Sequence, residues 1–83
     1  MQIKILGSGC AKCVTLAEYT RRALDNLGRE AEIVKVTDLG EIAAYGVMST
    51  PALAIDGKVV SVGRVLAPKS IEDLILARVN KEG

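Results

Sequence analysis

A chain of 83 residues, 49% apolar and 25% charged with a net charge of +1, has the size of one small domain with a modest core and shallow clefts, since independently folding units run from about 50 to 200 residues. The near balance of Lys plus Arg against Asp plus Glu, with only two Tyr as aromatics, excludes a basic stripe or stacking platform for nucleic acid, and the absence of His removes the Ser-His-Asp and Cys-His nucleophile systems and most zinc sites. No apolar run exceeds four residues and Met1-Gln2-Ile3-Lys4-Ile5 lacks the plan of a secretory signal, while a membrane-spanning helix needs about 18 apolar residues, so no membrane partner is expected and the cytoplasm is the expected address.

Met1 to Leu6 is short, apolar and rich in Ile, and it runs into Gly7-Ser8-Gly9, the pattern of a strand entering a turn. Beyond it Cys13, Leu16, Ala17, Thr20, Ala23, Leu24 and Leu27 recur on one helical face, while Thr15, Glu18, Arg22, Asp25 and Asn26 fall largely outside it. Gly28 is placed to end that helix. Ala31 to Val36 reads as a second strand, so the first third of the chain is expected to be a right-handed βαβ unit with parallel strands.

Thr37-Asp38 with Glu41 signals a short helix through Tyr45, closed by Gly46, and Thr50-Pro51 forbids its continuation. Ala52 to Ile55 and Lys58 to Val62 flank Asp56-Gly57, the pair favoured in a two-residue type I′ turn, which predicts a β-hairpin. Pro68, and Ser70 with Asp73 as a capping pair, are expected to open a last helix carrying Ile71, Leu74, Ile75 and Val79 at helical spacing. The predicted order is βαβαββα: an α/β fold in which helices flank a mixed four-stranded sheet, with residues 1–83 as a single domain.

The two Cys, Cys10 and Cys13, frame C-A-K-C where the first strand meets the first helix. Helix-start N–H groups lack intrahelical partners and carry positive partial charge, which favours a thiolate. Cys10 is therefore expected to be the low-pKa thiol, with Lys12 adding a screened positive charge nearby. Cys13, one turn on and on the apolar face, is expected to be buried and less ionised. As a staple the pair closes a loop worth only about 2 kcal/mol, against about 3 for a 15-residue loop. Lowering a thiol from about 8.5 to about 7 raises its thiolate fraction roughly tenfold, yet lost nucleophilicity takes back about fivefold. The larger benefit comes when the same sulfur must leave a mixed disulfide, which favours reversible exchange.

With C-A-K-C after a strand and Thr50-Pro51 ahead of a hairpin, the chain resembles the thioredoxin superfamily, and most of all its small glutaredoxin-like, redox-active disulfide proteins. The likeness runs from G-S-G-C-A-K-C through S-T-P-A-L-A-I-D-G to the final helix. It implies a thioredoxin-like fold and a dithiol-disulfide oxidoreductase that needs no cofactor and no metal. It further implies that Cys10 attacks, Cys13 resolves, and Pro51 is cis beside them, with Thr50 and Pro51 shaping the substrate groove. Lys12 and Gly63 are candidate tuning positions, with Gly63 either approaching the site closely through its backbone or simply ending a strand. Protein disulfides and a reductase or other dithiol donor are the implied partners of a monomeric protein. Glutaredoxins hold glutathione with a paired glycine and a following acid, whereas Val62-Gly63-Arg64 has one Gly and a base, which argues against glutathione. The buried acid that thioredoxins keep six residues before the first cysteine is Lys4 here, so a Lys4 aimed at the site would change its proton handling. The competing class is a carrier of a thiophilic metal or metalloid, since two thiolates alone can hold Cu(I). Tyr19 and Tyr45 read as packing residues.

Overall fold

The computed structural model describes residues 1–82, with side chains through Asn80. The chain runs β1 (Gln2–Leu6), α1 (Ala11–Leu27), β2 (Glu32–Val36), α2 (Leu39–Ala44), β3 (Ala52–Ile55), β4 (Lys58–Val62) and α3 (Pro68–Glu82), the expected βαβαββα order. The sheet is mixed, in the order β2-β1-β3-β4. β1 pairs parallel to β2 and antiparallel to β3, and β3 pairs antiparallel to β4.

Strand alternation sends successive side chains of β1 to opposite faces. Ile3 and Ile5 join Leu16, Ala23 and Leu24 of α1, Leu53 and Ile55 of β3, and Ile71 and Ile75 of α3 in the larger core. Leu6 points the other way, into a smaller cluster with Val36, Ala52 and Ile42 of α2. Helices α1 and α3 therefore share one face of the sheet and α2 covers the other. β3 is buried along its whole length because both faces are covered.

Local signals place most boundaries. Gly28 ends α1 at φ 66°, its N–H returning to the carbonyls of Asp25 and Leu24. The Asp38 side chain caps α2 by accepting the Glu41 N–H at 2.9 Å. Asp56 and Gly57 both have positive φ, 49° and 85°, as the tight hairpin turn requires. The start of α3 corrects the expected Ser70 and Asp73 capping pair. The helix already begins at Pro68, and the carbonyl of Ala67 accepts the Ile71 N–H at 3.1 Å. Pro68 opens it instead, because its fixed φ suits the first helical position and its missing N–H would have had no partner there. The pairing of β3 with β4 slips between Leu53 and Ala54, so Val60 is extra on β4, and next to it Ser61 Oγ is buried without a hydrogen-bond partner.

Candidate active site

The C-terminal end of β1 delivers the chain through Gly7-Ser8-Gly9 to the mouth of α1. Cys10 is the N-cap of that helix, with extended backbone at φ −68° and ψ 166°. Its sulfur stands where a capping oxygen usually stands and accepts the Cys13 N–H at 3.3 Å. Cys10 is exposed, Cys13 is buried, both are free thiols, and their sulfurs lie 2.6 Å apart.

The two thiols are held to opposite sides of the ordinary thiol pKa. Cys10 is lowered, first by the hydrogen bond from the Cys13 side chain and then by the Cys13 backbone N–H. Cys13 is raised, first by burial and then by its hydrogen bond to Cys10. The neighbouring thiol thus outweighs the helix start, which was expected to dominate. Lys12 is exposed, and it too favours the Cys10 thiolate through its backbone N–H.

Four further positions frame the pair. The Thr50–Pro51 peptide bond is cis, Pro51 is buried and Thr50 is exposed. A Cβ built on Gly7 would collide with Cys13 Sγ and lie 3.7 Å from the Thr50 Cβ, so the base of the cysteine pair and the proline loop meet at this glycine. Gly63 has φ 73°, donates its N–H to the Pro51 carbonyl at 2.8 Å, and leaves 3.0 Å between its notional Cβ and the Ser49 Cβ. Its backbone lies against the proline loop, a point that the sequence alone left open beside a plain strand end. Gly7 was missed there because a glycine at a strand end is already explained as a turn. Its position three residues before Cys10 was the available signal.

Lys4 turns away from the cysteines. Ile3 and Ile5 on either side of it face α1, so Lys4 faces α2. There its Nζ donates to Tyr45 Oη at 2.8 Å and sits 5.5 Å from the centre of that ring. The hydrogen bond to Tyr45 raises the Lys4 pKa and keeps the amine charged. Arg64 is exposed.

A cavity of about 50 Å³ adjoins Cys13, walled by Ile5, Gly7, Gly9, Val14 and Thr37. Three wide surface grooves, of about 580, 570 and 560 Å³, lie between α1 and β2, around the loop that joins them, and between β4 and α3, and none is lined by Cys10 or Cys13. An exposed sulfur with an adjacent buried one can trade a disulfide with a partner that comes to the surface. Among the described residues no helix is long and apolar enough to cross a membrane, and no group of three or more His, Cys, Asp or Glu is placed to hold a metal ion.

The family profile described as "Thioredoxin domain" matches residues 1–76. The chain is 42% identical over 71 residues to a protein named "Thioredoxin" from Methanocaldococcus jannaschii, covering 86% of this chain and 81% of that one. It is 36% identical over 75 residues to a "Thioredoxin" from Methanothermobacter thermautotrophicus, covering 90% of this chain and 97% of the relative.

Proposed function

The chain belongs to the thioredoxin family of thiol-disulfide oxidoreductases, and we propose that Cys10 and Cys13 are its working thiols, exchanging electrons with protein disulfides in the cytoplasm. The observation that carries this reading is the split between an exposed sulfur with a lowered pKa and a buried one with a raised pKa, 2.6 Å apart at a helix mouth.

The chemistry follows from that split. The Cys10 thiolate attacks one sulfur of the target disulfide; a bond forms between them, the target's S–S bond breaks, and its second sulfur leaves as thiolate and takes a proton from solvent. Cys13 then gives its proton to solvent and attacks the Cys10 sulfur. The Cys10–Cys13 disulfide forms, the mixed disulfide breaks, and two electrons have passed to the target. Cys10 is the leaving group when the first substitution runs in reverse, and it leaves readily because its thiolate is the more stable of the two. Thr50, exposed beside the pair, offers its backbone to an extended segment of the target, a short strand addition, while Pro51 and Gly63 hold the loop that presents it. A separate reductase or dithiol donor restores the pair, and the protein works as a monomer of one domain.

Insulin reduction with dithiothreitol as donor tests the reading. Wild type is expected to turn over and Cys10→Ser to lose essentially all of the enzymatic rate, while Cys13→Ser accumulates a mixed disulfide visible by mass spectrometry. Turnover that survives Cys10→Ser overturns the mechanism. A parallel titration with Cu(I) addresses the competing reading of a soft-metal carrier on the same sulfurs: tight one-to-one binding without turnover replaces the oxidoreductase by the carrier.

A further inference from the structure

Lys4 is a charged side chain directed toward the smaller core. Its cross-strand partners are Val34 on β2 and Ala54 on β3, and the cluster on this face is built from Leu6, Val36, Ile42 and Ala52, with Val34, Tyr45, Val47 and Val59 around it. Nothing in the exchange chemistry uses this amine, because it faces away from α1. Its described polar contact is the 2.8 Å hydrogen bond to Tyr45 Oη, a neutral oxygen, with the ring alongside.

Tyr45 occupies a particular place in the chain. It is the C-cap of α2, and Gly46 at φ 77° turns the backbone out into the segment that reaches Thr50 five residues later. Apart from Val47, which packs against the smaller core, that segment is exposed, with Met48 at 96% exposure. Its far end is tied where the Pro51 carbonyl accepts the Gly63 N–H. Its near end is tied through Tyr45. Helix α2 is six residues long with Ile42 as its buried residue, and Tyr45 and Val47 after it are only partly buried against the smaller core, so apolar packing at the near end is thin. The Lys4–Tyr45 bond fastens it to β1, the same central strand whose end carries Gly7, against which Cys13 and Thr50 both rest.

We propose that Lys4 and Tyr45 form a positioning pair for protein substrates: the bond between Nζ and Oη locks the end of α2 to β1 and so holds the Thr50 backbone at strand-addition spacing from Cys10. This rests on the reading of Cys10 and Thr50 given above. The pair acts through the loop and touches no reacting atom. Its loss therefore weakens docking of an extended polypeptide and leaves the intrinsic reactivity of Cys10 as it was.

The test separates a protein disulfide from a small one. Tyr45→Phe keeps the ring and removes the hydroxyl. Losing one hydrogen bond that orders the docking loop is expected to raise KM for insulin about threefold to tenfold with kcat within about twofold. Reduction of 5,5′-dithiobis(2-nitrobenzoate), which presents no backbone to Thr50, and alkylation of Cys10 by iodoacetamide are expected to be unchanged. Lys4→Met is expected to match Tyr45→Phe, and the double variant to be no worse than either single one, since both remove the same interaction. Lys4→Gln, which keeps a donor without the charge, is expected to restore part of the insulin KM. An insulin KM at the wild-type value in Tyr45→Phe overturns the proposal, as does an equal loss on both disulfides. Should Lys4→Met fail to fold, Tyr45→Phe decides alone. A wild-type protein that does not reduce insulin through Cys10 overturns the underlying exchange mechanism instead, which is a different result.

Discussion

At the scale of single residues, Cys10 and Cys13 take opposite characters from one hydrogen bond and one difference in burial. Because they interact, they titrate as a pair in two macroscopic steps. Iodoacetamide alkylation of the reduced protein is expected to follow Cys10 at low pH, with a midpoint below the free-thiol value of about 8.5, and to reach Cys13 only above it. Peptide mapping of the alkylated protein across pH checks the order. In Cys13→Ser the thiol that contributes most to lowering Cys10 is replaced by a hydroxyl, a weaker acid, and the Cys10 midpoint is expected to move upward. Gly7 has a different kind of constraint. A methyl there meets Cys13 Sγ while the backbone itself needs no positive φ, so Gly7→Ala is expected to cost about 1–3 kcal/mol by overpacking, read from urea unfolding of the reduced protein. The cysteines were legible in the sequence because spacing and helix onset are local facts. Lys4 and Tyr45 were not, because they stand 41 positions apart and are brought together only by the sheet and by α2 folding over it.

At the scale of elements, the hairpin and α1 were readable from their turn and cap residues, since Asp56-Gly57 and Gly28 are in the backbone conformations that these residue types favour. The entry to α3 was not, because Ser70 and Asp73 imitate a capping pair two residues inside the true start. Ala67, exposed at that start, has no side-chain acceptor to offer. Ala67→Ser is accordingly expected to stabilise the protein by about 1 kcal/mol, raising Tm by about 4–8 °C in a domain of this size. The hairpin turn supplies the pH dependence. Asp56 accepts the Gln2 N–H at 2.8 Å and pairs with Arg78 at 3.2 Å, and these contacts, the Gln2 N–H first, lower its pKa. A lowered carboxylate pKa contributes stability that is complete above the unfolded value of about 3.9 and is lost as pH falls through the folded value. Unfolding midpoints compared at pH 6 and pH 3 are expected to drop further for wild type than for Asp56→Asn, which has no such proton to take up.

At the scale of the whole molecule, two cores of unequal size divide the work. The larger one, between the sheet and α1 with α3, contains Leu16 and Ile75 at zero exposure. Truncating either to Ala is expected to cost about 2–5 kcal/mol, a large share of the 5–15 kcal/mol that small domains possess. The smaller one, under α2, carries the loop that leads to Thr50. Ile42→Ala is expected to loosen that face locally, and amide exchange in α2 and the following loop should quicken more than in α1 or α3. The βαβαββα order was enough to foresee helices flanking the sheet, and so a second covered face. The sequence does not reveal how little covers that second face, because the length of a short helix says nothing about what its exposed neighbours touch.

The cysteines and the strap that faces them come from distant parts of the chain: Cys10 lies near the beginning, while the loop around Pro51 is secured by the Gly63 N–H. A ribosome therefore releases the two sulfurs some fifty residues before it releases their counterpart. Until the helix mouth has formed, sulfur 10 is an ordinary thiol, mostly protonated at neutral pH. Its tuning partners all lie within the next three residues, so a chain halted midway through synthesis already carries the reactive pair and still lacks the groove that would receive a target.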